Sequence, residues 1–475
     1  MARRPTLRSL WMALALALLL GPKILSPVSG ADVPLFSMQA RLVAEDAGVT
    51  YGITPPAIYG RGFQTLITGY IDPDNSNNDY GLYVHSTDDG YDGAGYSTWT
   101  QQMKIRPDDG DAADHFGRWM STTDYTLLVS SPMKNTYKGA AYIFNGTLKH
   151  WTQIQKLVAS DAKAYDYFGE RTAISGNRAI LGARGGLAGA STAGRAYIFE
   201  RSERFGEWSQ VAKLVAADAK ELQFFGQNVA IYGDYALVSA KNDVEEGSHG
   251  GCAYVFQYVT VNKISAWTQQ QKITNFDLYE YQSDRDILHT GVRLGDKFFA
   301  EDLIIYKTSA AMSVFRTDQE ELNQQSVYVY NLTNAGTWSQ SQILFYNGTL
   351  ESGGEFHSST RLHLRDENLV VRVFGSEQQV EYVFQYQSNG NWSQLQRLAH
   401  VESDNKTTPG LFGGYLLENN GTTAIIKSRY RNDSCLLIWM SDHFLDGWDT
   451  AVLTVRAPDR TVDTFHPHCD QVPYS

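Results

Sequence analysis

Cysteine is nearly missing from this sequence: three in 475 residues, at positions 252, 435 and 469. Three thiols cannot build the disulfide lattice that holds small secreted domains, so burial and hydrogen bonding must do that work. One bridge is possible, with Cys435 and Cys469 as the candidate pair tying down the C-terminal tail. Long apolar runs are missing too. The run from Leu10 to Leu20 is too short to span a bilayer, and no later stretch approaches the roughly 18 apolar residues that a span requires. With Arg3, Arg4 and Arg8 before it and Val28-Ser29-Gly30-Ala31 after it, residues 1–30 read as a secretory leader. The expectation is a secreted chain with no membrane span in its mature form.

The usual catalytic signatures are absent as well. There is no Gly-x-Ser-x-Gly elbow, no His-Glu-x-x-His pair and no glycine-rich phosphate cradle. The eleven histidines fall at no repeated position. No cofactor is expected, and nothing points to an enzyme. Positive charge is also in deficit, with 40 Lys and Arg against 52 Asp and Glu, and the leader takes four of the basic residues with it. Such a surface repels phosphate backbones, so nucleic acid is excluded as a partner.

What the sequence has is repetition. A Trp-Ser/Thr-Gln triplet begins at Trp99, Trp151, Trp208, Trp267, Trp338 and Trp392, with degenerate copies at Phe36 and Trp448. The seven intervals are 63, 52, 57, 59, 71, 54 and 56 residues. A period of this size marks an array of supersecondary units.

In the unit that starts at Trp151, the anchor strand leads through a polar loop to Phe168-Gly169. A strand, a Gly176-Asn177 turn and the run Arg178 to Ala183 follow. Gly-Asn between apolar runs signals a two-residue hairpin. Comparable turns are expected at Gly60-Arg61, Thr123-Asp124, Gly233-Asp234, Gly295-Asp296 and Asn420-Gly421. A last strand runs from Arg195 to Phe199. Runs such as Ala179-Ile180-Leu181-Gly182-Ala183 do not alternate, which suits strands buried on both faces. Four short strands per unit and no helical periodicity predict an all-β fold, a seven-bladed β-propeller of four-stranded antiparallel blades over residues 31–456. Residues 457–475 form the tail. The strand from Phe36 to Ala44 is expected to pair with C-terminal sequence and complete the last blade.

Phe116-Gly117, Phe168-Gly169, Phe225-Gly226 and Phe412-Gly413, with Leu181-Gly182-Ala183 and Val129-Ser130-Ser131-Pro132, resemble FG-GAP repeats. These are the repeats of the integrin α-subunit propeller and of many secreted proteins. In units five and six, Leu288-His289 and Phe356-His357 take the Phe-Gly place, and unit one has Tyr51-Gly52. Family members that bind calcium carry an Asp-rich loop where this chain has turns like Gly176-Asn177. Such a turn offers too few oxygens for an ion that takes six to eight.

Ten residues after each anchor stands an acid: Asp46, Asp109, Asp161, Asp218, Asp277 and Glu402, with Gly348 the exception. A ring of carboxylates on one face can steer cations. The structural reading, each acid accepting backbone N–H bonds in its own turn, is the one its chemistry favours. The oxygen-rich segment 72–79 lacks the ordered ligand spacing of a calcium loop, and His466 and His468 beside Cys469 lack a second thiol for zinc. No metal site is expected. Glycosylation sequons begin at Asn145, Asn331, Asn347, Asn391, Asn405, Asn420 and Asn432.

The fold implies an extracellular binding or adhesion-type protein whose partner is a protein or a glycan. The alternatives are a secreted polysaccharide hydrolase or lyase with a site in the central cleft, and a matrix component. Binding is expected on the face with the long loops 72–80, 184–192, 241–250 and 307–325.

Overall fold

The computed structural model describes residues 99–274, with breaks at 124, 148, 186–192 and 242–250, residues 295–345 without 318–322, and residues 360–399 without 366 and 375–378. Elsewhere it describes strands only, between residues 37 and 465. The leader, residues 73–78, His466, His468, and Asp46, Asp277, Glu402, Asn347, Asn405, Asn420, Asn432 and Cys469 lie outside the described residues.

The chain is all-β, and its described residues form six four-stranded sheets, one five-stranded sheet and one two-stranded sheet, with antiparallel pairing within each. Sheet 2 holds Met120–Thr123, Thr126–Ser131, Ala140–Gly146 and Trp151–Leu157. Sheet 3 holds Thr172–Ser175, Arg178–Ala183, Arg195–Arg201 and Trp208–Leu214. Sheet 4 is Phe225–Tyr232, Tyr235–Ala240, Cys252–Val261 and Ile264–Ile273. Sheet 5 is Gly295–Tyr306, Ser309–Thr317, Asn323–Leu332 and Trp338–Phe345. Sheet 6 is Thr360–Arg365, Asn368–Phe374, Gln379–Tyr386 and Trp392–Ala399. In sheet 1 two short strands, Thr50–Tyr51 and Ala57–Tyr59, share the first place beside Thr65–Asp72, Asp79–Thr87 and Trp99–Ile105. In sheet 7, Leu416–Asn419, Thr422–Ser428 and Cys435–Asp442 are joined by Ser37–Val43 from the other end of the chain.

First strands touch first strands in succession from sheet 1 to sheet 7. The sheets are therefore stacked face to face, and the second strands are buried on both sides. Leu181 packs with Leu128, Ile143 and Leu157 of sheet 2, whereas its neighbour Ile180 packs with Val229, Val238 and Tyr254 of sheet 4. That is why the run Ala179 to Ala183 is apolar at every position.

Each fourth strand carries a bulge three residues after its anchor, at Gln39, Gln102, Ile154, Val211, Gln270, Ser341 and Leu395. The bulge at Gln39 identifies Ser37–Val43 as a fourth strand like the others. The expected pairing of this strand with C-terminal sequence is present, six residue pairs running from Ser37–Met440 to Val43–Cys435. Beyond it, Leu453–Arg456 and Val462–Phe465 pair across the boundary expected at residue 456. Trp448 lies outside the described residues.

Turns at Gly176-Asn177 and Gly233-Asp234 fall where expected. Gly295-Asp296 does not form one. Gly295 opens a 12-residue strand, and its hairpin turn is Lys307-Thr308, with Lys307 at φ 53°. Residues 307–325 are accordingly a turn and parts of two strands, with only 318–322 between them. Among the described residues the helical content is two single turns, Ala112–Asp114 and Lys134–Tyr137.

The Phe-Gly place of sheet 5 is also not Leu288-His289. The register shift from Phe225 to Val229 in sheet 4 recurs from Phe299 to Leu303 in sheet 5. Ser239 Oγ accepts from the Asn228 N–H and Ser313 Oγ from the Asp302 N–H in the same way. Phe299-Ala300 therefore stands where Phe225-Gly226 stands, with Ala300 at φ 54°. In sheet 6 the expected Phe356-His357 lies outside the described residues.

Candidate binding face and axis

The anchor triplet has a division of labour. Trp151, Trp208, Trp338 and Trp392 are buried, and the next residue points outward. The Gln two places on clamps the linker that arrives from the preceding sheet. Gln153 exchanges hydrogen bonds with the Asp108 N–H and carboxylate, and Gln210 with the Ser160 N–H and Oγ. The Gln four places on reaches sideways. Gln155 brackets the Trp208 backbone at 2.6 and 2.8 Å, Gln271 that of Trp338, and Gln342 that of Trp392. A bidentate amide of this kind fixes one sheet edge to the next.

Asp109, Asp161 and Asp218 are placed alike. Tyr142, Tyr197 and Tyr254 each donate to Oδ1 of one of them at 2.7 Å. Lys156, Lys213 and Lys272 each reach Oδ2 at 2.6 Å. Burial alone would raise these carboxyls, but the Lys and Tyr hydrogen bonds prevail and hold them below the usual range. The partners are side chains of the third and fourth strands, joined at Asp218 by its own backbone N–H. The register explains it: Tyr142–Lys156, Tyr197–Lys213 and Tyr254–Lys272 are direct cross-strand pairs, so one carboxylate caps both. The lysine signal was present in the sequence, five residues after each anchor: Arg41, Lys104, Lys156, Lys213, Lys272 and Arg397, with Ile343 the exception.

These acids lie on linkers that meet the loops between second and third strands. Lys134, buried in such a loop, donates to Asp114 Oδ2 at 2.6 Å and to the Asp109 carbonyl. The next linker is zipped on by Tyr165 N–H to the Thr136 carbonyl, Tyr167 N–H to Tyr137 and Phe168 N–H to Lys138. The two loop sets form one face.

A partly exposed aromatic rim runs along it. The residue before each Phe-Gly is His115, Tyr167 or Phe224, all left-handed at φ 53–56°. A ring or cation from the previous sheet covers each. Tyr80 stacks on His115 at 4.5 Å and Tyr137 on Tyr165 at 5.5 Å, Tyr137 meets Tyr167 tilted by 41° at 5.3 Å, and Arg184 sits 4.4 Å from Tyr167 and 5.8 Å from Phe224. Burial, then the Arg118 charge, holds His115 below the usual imidazole range, so its neutral ring faces Tyr80. Left-handed backbone at bulky residues costs on the order of 1 kcal/mol or more each, and such strain concentrates at functional sites.

The Phe-Gly pairs themselves make the crossing from sheet to sheet. Phe168 rests edge-on against Tyr197 and Phe199, and Gly226 lies at φ 90° against the Arg195 carbonyl, where a Cβ would collide.

The residue before each first-strand register position points inward: Trp119, Arg171, Asn228, Asp302 and Arg361 from sheets 2 to 6. They touch between neighbouring sheets and, for Arg171–Asp302 and Arg361–Trp119, between non-neighbouring ones. Arg171 lies 3.4 Å from the Trp119 ring and 3.4 Å from Asp302 Oδ1, and Arg361 lies 5.0 Å from the same ring. Asp302 Oδ2 accepts the Leu362 N–H at 2.8 Å.

Three sequons fall among the described residues. Asn145 and Asn331 end third strands and Asn391 precedes a fourth strand, all on the face opposite the linkers. Cys435 opens its strand in sheet 7, and Cys252 is buried. Among the described residues no helix is long and apolar enough to cross a membrane, and no group of three or more His, Cys, Asp or Glu side chains gathers as a metal site.

The FG-GAP repeat model matches residues 99–144, 151–199 and 208–256. These three units are FG-GAP repeats. The matched repeats end in the third strands of sheets 2, 3 and 4, so each runs from an anchor through Phe-Gly to the strand that carries the Tyr of the carboxylate latch. No curated protein matches the chain. Among solved structures it is similar to Sqt1 from Saccharomyces cerevisiae, at 10% identity and TM-score 0.43 over 86% of this chain and 100% of that one. It is also similar to the periplasmic gluconolactonase PpgL of Pseudomonas aeruginosa, at 13% and 0.40 over 83% and 96%. The β-propeller domain of the Trilobed protease from Pyrococcus furiosus follows at 7% and 0.40 over 82% and 95%. At these scores the likenesses carry no inference about activity.

Proposed function

We propose that the sheets close into a seven-bladed β-propeller and that the chain is a secreted, glycosylated binding protein, not an enzyme, recognising an extracellular protein or glycan through its loop face. The stacked rim of Tyr80, His115, Tyr137, Tyr167 and Arg184 carries this reading. Planar faces held in place by the FG-GAP scaffold offer contact area at low ordering cost. The placement of Asn145, Asn331 and Asn391 on the opposite face supports it, because glycans there leave the loop face clear. A hydrolase or lyase in the cleft has less in its favour: the axial carboxylate Asp302 is occupied by Leu362 and Arg171.

The test is an array of glycans and extracellular proteins probed with the full mature chain. Tyr137→Ala and Tyr167→Ala should lose the ligand while keeping the wild-type melting temperature within a few degrees. Binding that survives both but disappears when the Gly176-Asn177 turn face is altered would place the site on the other side.

A further inference from the structure

We infer that the crossing between sheets 2 and 3 on the loop face docks an acidic peptide segment of a partner protein, received by Tyr137, Tyr165 and Tyr167 with Lys138 and Lys163 beside them. The inference rests on the loop-face reading above and gives it a partner chemistry. Tyr137 is 36% exposed, and Asn135, Thr136 and Lys138 around it are exposed as well. The loop is held in this position by the Tyr165, Tyr167 and Phe168 N–H groups, which donate to the Thr136, Tyr137 and Lys138 carbonyls.

The free charge at this crossing has one sign. The acids of residues 160–170 are engaged: Asp161 with Lys213 at 2.6 Å, Asp166 with Arg195 at 3.5 Å and Glu170 with Arg184 at 3.6 Å. Lys138 and Lys163 are exposed and form no ion pair among the described residues. The hydroxyls of Tyr137, Tyr165 and Tyr167 likewise make no hydrogen bond among them. On either side the sign changes, with Asp111 exposed at the crossing before and Glu221 at the crossing after. The cationic patch is therefore local. The formal charge of the chain, −12, opposes an acidic partner at long range, so the attraction must act at contact, inside the screening length of about 10 Å at 0.1 M salt.

Geometry selects a peptide over a sugar chain. Tyr137 and Tyr165 lie within 18° of parallel at 5.5 Å, so each ring gives a face to the other, and Arg184 takes a face of Tyr167 at 4.4 Å. Faces committed in this way are withdrawn from the C–H face of a sugar. The crossing still offers ring edges, phenol hydroxyls and the two ammonium groups, and each of these polar groups can donate. Carboxylate side chains accept from such donors in charge-assisted bonds, and apolar side chains between them pack on the ring edges. A segment with Glu or Asp interspersed among Leu or Phe supplies both.

The test selects peptides from a random display library on the full mature chain. Peptides whose capture depends on Tyr137 should carry net negative charge, with Leu or Phe between the acids. On the double variant Lys138→Glu, Lys163→Glu the same library should yield basic peptides instead. A synthetic copy of a selected acidic peptide should bind the wild type more weakly as salt rises. Lys138→Gln and Lys163→Gln should each lower its affinity by about two- to fivefold, the worth of an exposed ion pair. All these variants should melt with the wild type, since both lysines are exposed.

Selected peptides without a charge bias, or the same sequences selected by the charge-reversed chain, overturn the inference. If Tyr137→Ala abolishes peptide capture and charge reversal changes nothing, the loop-face reading stands and the acidic partner falls. Capture that survives Tyr137→Ala places the site elsewhere and overturns both. If no peptide is captured but chondroitin sulfate binds the wild type and not the double variant, the lysines serve a sulfated glycan, so the loop-face reading stands and the peptide falls.

Discussion

The Tyr142 hydroxyl meets Asp109 Oδ1 at 2.7 Å, and the same bond recurs from Tyr197 to Asp161 and from Tyr254 to Asp218. It joins the linker that leaves one sheet to the third strand of the next. Sheets 5 and 6 each lose one half of the accompanying ion pair. Ile343 stands opposite Tyr328 where a lysine is expected, and Gly348 takes the acid's place ahead of Tyr382 and its cross-strand partner Arg397.

Asp161→Ala should lower unfolding free energy by about 1 kcal/mol, the ordinary worth of a hydrogen bond with a partly exposed ion pair. Tyr197→Phe should cost a similar amount. Neither effect should depend on calcium. Denaturant unfolding with and without the ion checks this, and a calcium-driven stabilisation that vanishes in Asp161→Ala would make the acids cation ligands.

Acid should weaken the fold in two stages. Burial pushes His85 down from 6.5 to about 3, so the unfolded chain binds its proton first. The stability tied to neutral His85 is full above pH 6.5 and is lost as pH falls towards 3. Asp109, Asp161 and Asp218 are depressed below 3.8, so their share is present above that pH and is lost below it. Melting temperature against pH should decline between 6 and 4 in the wild type and less steeply in His85→Gln. Identical slopes would remove His85 from the account.

Gly226→Ala should destabilise severely, by about 2 kcal/mol or more, because it combines a left-handed backbone with a collision at the Arg195 carbonyl. Ala300→Gly, at the matching place in sheet 5, should change stability little, since strain relief and the lost buried methyl oppose each other. Equal tolerance of the two changes would show that the two places are not equivalent.

Removing residues 31–45 should expose the edge of Cys435–Asp442. The truncated chain is expected to melt lower and to aggregate, which light scattering during a thermal ramp reports. An unchanged melting curve would mean that Ser37–Val43 adds nothing.

Repetition was legible because the same side chain does the same work in each unit. Trp and Gln of the triplet recur since each sheet edge needs a buried wedge and a clamp for the incoming linker. Phe-Gly was legible only where glycine supplies the left-handed residue. In sheet 5 Ala300 is forced into that conformation, which removed the marker and moved the expected place eleven residues upstream. Gly295-Asp296 has the composition of a hairpin turn, yet the first strand of sheet 5 runs on to Tyr306, and local composition could not weigh that extended pairing. The cluster at the first strands was invisible, because Trp119, Arg171, Asp302 and Arg361 share a position without sharing one residue type.

The pairing of Ser37–Val43 with Cys435–Asp442 also sets a timetable. At about 5–20 residues per second of synthesis, the earliest strand emerges some 20–80 s before its partner exists. Sheets 2, 3 and 4 can assemble from neighbouring sequence in that interval. The first strand meanwhile waits unpaired, with its bulge at Gln39 disfavouring a straight edge-to-edge match with another nascent chain. Completion is therefore a post-translational event, and a chaperone that shields one short segment near the N-terminus would be enough to protect the whole nascent molecule.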